Sequence, residues 1–154
     1  MGDFVAAAGQ NGSMQTAQPS IVGVGAVIWN DRGEIVLIRR GQEPRLREWS
    51  IPGGRLEWGE SVREAVVREV REETGLEVEI AGLIDVVDSV TRDASGKVVR
   101  HYVLIDFLAR HVSGTLRAGS DAAEAHWVAY VVLDEYELWT ETRRIIDAAA
   151  RMRG

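Results

Sequence analysis

The sequence predicts a single α/β domain, and three observations carry that reading. Two pairs of β-rich runs, each joined by a polar turn, have the pattern of hairpins. A stretch from Val62 to Thr74 is bracketed by a helix start signal and a helix stop signal. A second stretch near the C-terminus, Thr140 to Met152, puts Ile145, Ile146, Ala149 and Met152 on one helical stripe. The 154 residues suit one core, and 45% hydrophobic with 27% charged residues excludes collagen-like and wholly disordered chains.

The elements follow in chain order. Met1 to Ser20 lacks periodicity and has no Lys or Arg, so residues 1–20 read as a flexible tail and 21–154 as the folded domain. Ile21 to Trp29 is an apolar, β-branched run, and the Asn30-Asp31-Arg32-Gly33 turn separates it from Ile35 to Arg40, which suggests the first hairpin. Trp49-Ser50-Ile51-Pro52-Gly53-Gly54 punctuates the chain, and its two glycines permit backbone conformations that other residues avoid. Ser61 with Glu64 three residues on forms a capping box, and Gly75 supplies the stop for the helix. Leu76 to Val90 and Val98 to Leu108 form the second hairpin around Arg92 to Gly96. Ala125 to Val132 reads as a strand, and Leu133 to Leu138 as a short helix before the last one.

The first helix has an unusual inner stripe. Projected at about 100° per residue, Val62, Ala65 and Val66 share a side with Glu69, Glu72 and Glu73, all within about 60° of Glu69. An inward face that begins apolar thus ends in three carboxylates. They repel one another and sit at the C-terminal end of the helix, where the dipole disfavours anions. A divalent cation compensates such a cluster, and all-oxygen ligands select a hard ion, Mg²⁺ first with Mn²⁺ as its substitute.

Read from Gly54, the chain runs GRLEWGESVREAVVREVREETGL. A glycine, five free positions, Glu60, seven free positions and then Arg68-Glu69-Val70-Arg71-Glu72-Glu73-Thr74-Gly75-Leu76 resembles the signature of the Nudix hydrolases, with every fixed residue present. The resemblance implies a Nudix-type α-β-α sandwich, a mixed sheet between helices. It implies Glu69, Glu72 and Glu73 as metal ligands, the main-chain carbonyl of Gly54 as a further one, and Glu60 at the metal site directly or through water. Arg68 would orient the carboxylates, and Glu69 or Glu73 would serve as base. The implied activity is Mg²⁺-dependent hydrolysis of the pyrophosphate bond in a nucleoside diphosphate linked to another group, of ADP-ribose or nucleotide-sugar type or of nucleoside triphosphate type. The alternative is a Nudix-fold sensor or regulator that binds nucleotide without turnover.

Outside the signature, Asp121 and Glu124 precede Trp127 and are candidates for an additional metal ligand or base, with loop decoration as the other reading. Arg39 and Arg55 are candidates for phosphate contact. Trp49 and Trp58 either stack on a base or pack against the loop. The net charge of -6, without a basic block, argues against a nucleic-acid partner, and no apolar run suits a membrane span. The expected partner is a small nucleotide derivative, with a homodimer left open. Cysteine is absent, which removes disulfides and thiolate chemistry. With no targeting signal, the expected location is cytoplasmic. Deleting residues 1–18 should leave the melting temperature and any activity nearly unchanged. A large loss of either in the truncated protein would show that the tail docks on the core.

Overall fold

The computed structural model describes residues 18–43, 45–119 and 121–153, so most of the predicted tail lies outside the described residues. Seven strands form one mixed sheet: β1 (Ile21–Trp29), β2 (Glu34–Arg40), β3 (Trp49–Ser50), β4 (Gly53–Arg55), β5 (Glu77–Arg92), β6 (Val98–Ser113) and β7 (Ala122–Ala129). Two α-helices, α1 (Val62–Thr74) and α2 (Thr140–Arg153), flank it. A 3₁₀ helix at Tyr130–Glu135 links β7 to the last segment.

The continuous apolar run of β1 is explained by burial on both faces. Val24, Ala26 and Ile28 point to the side of α1, where they meet Ala65, Val66 and Val70, while Val27 and Trp29 join Ile145, Ile146 and Ala149 of α2. Strand β2 alternates in the same way, with Val36 and Ile38 on one side and Ile35 and Leu37 on the other. The α-β-α sandwich is therefore two apolar layers sharing one sheet.

The first predicted hairpin is only nominal. β1 and β2 pair at Trp29↔Ile35 and then separate. β1 runs parallel to β6 along its whole length, from Ile21↔Tyr102 to Trp29↔Arg110, whereas β2 pairs antiparallel with β7. The fork between them is filled by the Trp49–Arg55 segment: β3 bonds to β2, and β4 bonds to β1 at Gly23↔Arg55, Val24↔Gly54 and Gly25↔Gly53. Local turn chemistry predicted the connection correctly, but long-range pairing chose the partners. The second hairpin, β5 with β6, forms as expected.

Helix α1 keeps its predicted bounds. Glu64 N–H donates to Ser61 Oγ at 3.1 Å and Ser61 N–H to Glu64 Oε2 at 3.0 Å, while Gly75 adopts φ 73° and returns its N–H to the Arg71 carbonyl. A cap of this kind contributes about 1 kcal/mol.

Downstream, two boundaries shift. β7 starts at Ala122, opposite Arg40, and ends at Ala129, because Tyr130 to Val132 wind into the 3₁₀ turn. The predicted helix over Leu133 to Leu138 is replaced by that earlier turn. Tyr136 donates its N–H to the Leu133 carbonyl, and Leu138 extends to bridge Trp49.

Candidate active site

The fork between β1 and β2 opens into a cleft of about 470 Å³, with Glu69 and Glu73 of α1, Gly53 and Gly54 of β4, and Asp121 in its wall. Glu73 is 7% exposed, and its Oε2 accepts the Gly53 N–H at 3.0 Å. Burial pushes its carboxyl up to about 7; Glu69 and Asp121 add to the rise, while the Gly53 bond and the Arg40 charge oppose it. Burial also raises the Glu69 carboxyl, against the pull of Arg68 and with the support of Glu72 and Asp121.

Gly54 lies directly against the Glu69 side chain of α1. A methyl group built there would collide with the carboxyl of Glu69. Neither Gly53 nor Gly54 has positive φ, so the sequence reading of these glycines is corrected. They are required for space, Gly53 against the Val24–Gly25 backbone of β1 and Gly54 against the Glu69 carboxyl, rather than for an unusual backbone angle.

Arg68 binds the acids together. Its Nε and Nη2 donate to Glu60 at 3.0 and 2.6 Å, its Nη1 to Glu69 at 2.8 Å and Glu72 at 3.2 Å, and its Nη2 also reaches the Arg55 carbonyl at 3.0 Å. Both oxygens of Glu60 are occupied this way, and Oε1 also accepts the Glu57 N–H. Arg68 accordingly holds the Glu60 carboxyl below the usual range.

Glu72 sits differently from its two neighbours. Its side chain is 50% exposed and turned toward Arg68. The buried face of α1 consists of Ala65, Val66, Val70, Glu73 and Thr74, so it is centred nearer Val66 than Glu69. Including Val70 and Thr74 in the helical projection moves the inward direction away from Glu72, which corrects the expectation that all three glutamates face inward.

The remaining predicted residues divide. Asp121 reaches the cleft wall and accepts from Gln42 Nε2 at 2.8 Å. Arg55 also lines the cleft, its Nη2 donating to the Tyr102 hydroxyl at 3.2 Å. Arg39 and Glu124 are cross-strand partners joined by a 3.1 Å ion pair, and neither lines the cleft. Trp49 packs edge-on against Tyr136 with centroids 5.1 Å apart, while Trp58 is fully exposed. Sequence reasoning missed Arg40, Trp139 and Asp106 as cleft residues. Asp106 left a signal: one carboxylate inside the apolar strand YVLIDFLA.

A hard cation fits this donor set. Glu69 Oε2 and Glu73 Oε1 receive no hydrogen bond among the described residues, and both lie beside the Gly53-Gly54 backbone. No three acid or imidazole groups among the described residues form a ready-made cage. Two carboxylates supplemented by water and substrate oxygens are characteristic of Mg²⁺ sites, in contrast to the fuller protein shell around Ca²⁺.

The fold and site define an α-β-α sandwich domain with an acidic helix end facing a cleft. The NUDIX domain profile matches residues 19–149, and the chain belongs to that family. An ADP-ribose pyrophosphatase from Methanocaldococcus jannaschii is 42% identical over 106 residues, covering 69% of this chain and 60% of that protein. An 8-oxo-dGDP phosphatase from Danio rerio is 33% identical over 108 residues, covering 68% of this chain and 30% of that one. The chain thus spans less than two thirds of the length of either relative. Among solved structures, the MutT NUDIX hydrolase from Burkholderia pseudomallei superposes with a TM-score of 0.72 at 36% identity, covering 85% of this chain and 98% of that one.

Glu73 gives stability a pH dependence of definite sign. In the metal-free folded protein it holds its proton up to about 7, whereas the unfolded chain releases it near the ordinary 4.5. Between those values the folded state binds the proton more tightly, so stability falls as pH rises and the loss is complete above about 7. The loss from this group is at most about 3 kcal/mol. Denaturant midpoints of metal-free protein should drop from pH 5 to pH 8, and Glu73→Gln should reduce that drop by roughly half, because Asp106, raised to about 7 by burial, adds a loss of the same sign. An equal drop in the variant would assign the titration to another group.

Proposed function

We propose that the chain hydrolyses the pyrophosphate bond of a small nucleotide derivative, with Mg²⁺, or Mn²⁺ in its place, held chiefly by Glu69, Glu73 and the Gly54 carbonyl. The observation that carries this reading is the pair of neighbouring carboxylates, Glu73 buried and Glu69 partly buried, with uncommitted oxygens beside a glycine strand at the mouth of a nucleotide-sized cleft. An intact set of acids on α1 favours turnover over a sensor that only binds.

The bound cation supplies charge neutralisation for the diphosphate and acidifies water. The chain's own residues do the rest. Arg68 keeps Glu69 and Glu72 at the helix end and uses Glu60 as its anchor, so Glu60 and Arg68 are positioning residues in this reading. Glu72 reaches the ion from the open side, and Asp121 faces the same site across the cleft. Glu73 or Glu69 accepts the proton of the attacking water. Arg55 bonds a phosphate oxygen in place of the Tyr102 hydroxyl. Arg39, tied to Glu124, takes no part.

For the substrate, our reading puts the ADP-ribose and nucleotide-sugar class first and nucleoside triphosphates second, with the similarity to the archaeal ADP-ribose pyrophosphatase as its support. The same reading keeps the protein in the cytoplasm, where such compounds occur. Among the described residues no helix is long and apolar enough to cross a membrane.

The test is product analysis in isotopically heavy water with Mg²⁺ and a panel of both classes. ADP-ribose should give AMP and ribose 5-phosphate with heavy oxygen on one phosphate, or a nucleoside triphosphate should give the monophosphate and pyrophosphate. Release of free base, or of phosphate from a simple monoester alone, would overturn the mechanism.

A further inference from the structure

The cleft has a second polar centre, remote from the glutamates of α1. Asp106 lies on β6 between Leu104 and Leu108, on the face packed under α2, and is 7% exposed. Its backbone pairs with Gly25 of β1 and Asp85 of β5, and Gly25 pairs in turn with Gly53 of β4. Asp106 is therefore two strand spacings, about 10 Å, across the sheet from the glycine that bonds Glu73.

The sheet makes room for this carboxyl. A methyl group on Gly25 would lie 2.5 Å from Asp106 Oδ1 and 3.1 Å from Ile51 Cδ1. No hydrogen bond reaches the Asp106 side chain among the described residues, and the nearby Arg144 is committed to Glu141 and Asp85. Burial raises the carboxyl to about 7, with Asp85 adding to the rise and Arg144 opposing it. Its oxygens are not sealed off, since the fully buried side-chain polar atom left without a partner among the described residues is Trp29 Nε1, and the Asp106 carboxyl instead opens onto the cleft. A ligand that brings the missing bonds would explain why this carboxyl is kept at a cleft.

The surroundings narrow the ligand. Ile51, Val87, Leu104 and Ile145 give the adjoining cleft wall apolar surfaces. A phosphate would meet a carboxylate of like charge, and a sugar would set hydroxyls against aliphatic side chains. A nucleobase suits both features, since its flat faces are apolar and its edge carries N–H donors for a carboxyl that accepts.

We propose that Asp106 reads the N–H edge of the substrate's nucleobase, which seats beside Asp106 in the cleft between the sheet and α2 while the diphosphate points to Glu69 and Glu73. This rests on the pyrophosphohydrolase reading, and Asp106 acts within it as a specificity residue.

Calorimetric titration in Mg²⁺ with the 5′-monophosphates of adenosine, guanosine, cytidine and uridine tests it. Purine riboside 5′-monophosphate, which lacks exocyclic groups and a base N–H, is the control. Wild type should bind at least one of the four roughly tenfold tighter than the control, the equivalent of one good hydrogen bond. In Asp106→Ala that gap should shrink below about threefold, with the control's affinity unchanged. No gap in wild type, or a full gap in a folded Asp106→Ala, overturns the proposal. Should the alanine variant fail to fold, Asp106→Asn decides: its amide both donates and accepts, so the ranking of the four bases must change, and an unchanged ranking overturns the assignment. Wild-type turnover is scored separately. Turnover without a base gap removes the role of Asp106 and leaves the hydrolase reading, and a base gap without turnover does the reverse.

Discussion

The site is organised by one costly placement, the carboxylate of Glu73 taken out of water at the C-terminal end of α1. Both the helix dipole and the neighbouring Glu69 disfavour charge there. Its direct hydrogen-bond donor in the described structure is a single main-chain N–H, that of Gly53. The bond needs helix and strand in near contact, which only a glycine at position 54 permits, because any side chain would enter the volume of the Glu69 carboxyl. The helix caps, the glycine strand and the Arg68 clamp thus serve the same end. They keep two acids together that would separate if left to electrostatics.

The sheet contributes by failing to close. Had β1 and β2 zipped as an ordinary hairpin, the Trp49–Arg55 segment would have no place in the sheet and no cleft would form. Instead β1 takes β6 as its parallel partner and β2 takes β7, and the fork between them admits β3 and β4. The same fork sets Gly25 and Asp106 in the cleft wall on the α2 side while presenting Gly54 on the α1 side. Two chemically different ends of one cleft follow from a single divergence of strands. The end near α1 is acidic and suited to cations; the end near α2 is mostly apolar with one buried carboxyl.

What could be read in advance depended on whether the signal was local. The bounds of α1 are set by Ser61, Glu64 and Gly75, all within a turn of the ends they fix, and they hold in the structure. The family signature located Gly54, Glu60, Arg68, Glu69 and Glu73, which the fold brings together around the end and flank of α1. The partners of β1, by contrast, are set by contacts with residues about 80 positions away, which no turn residue encodes. Glu72 was misplaced because its helical angle was judged from three apolar residues, and Val70 and Thr74 rotate the buried face away from it. Arg39 and Glu124 are individually plausible as site residues. Only the β2–β7 register shows that they satisfy each other.

The central claim is that Glu69 and Glu73, pressed against the glycine strand, form a divalent cation site. Crystals soaked in Mn²⁺ and measured near the manganese absorption edge test it most directly. The account predicts an anomalous peak about 2.1 Å from oxygens of both Glu69 and Glu73 and within reach of the Gly54 carbonyl, as hard-ion geometry requires. A peak confined to surface acids such as Glu57 or Asp134, or no peak at millimolar Mn²⁺, would contradict it.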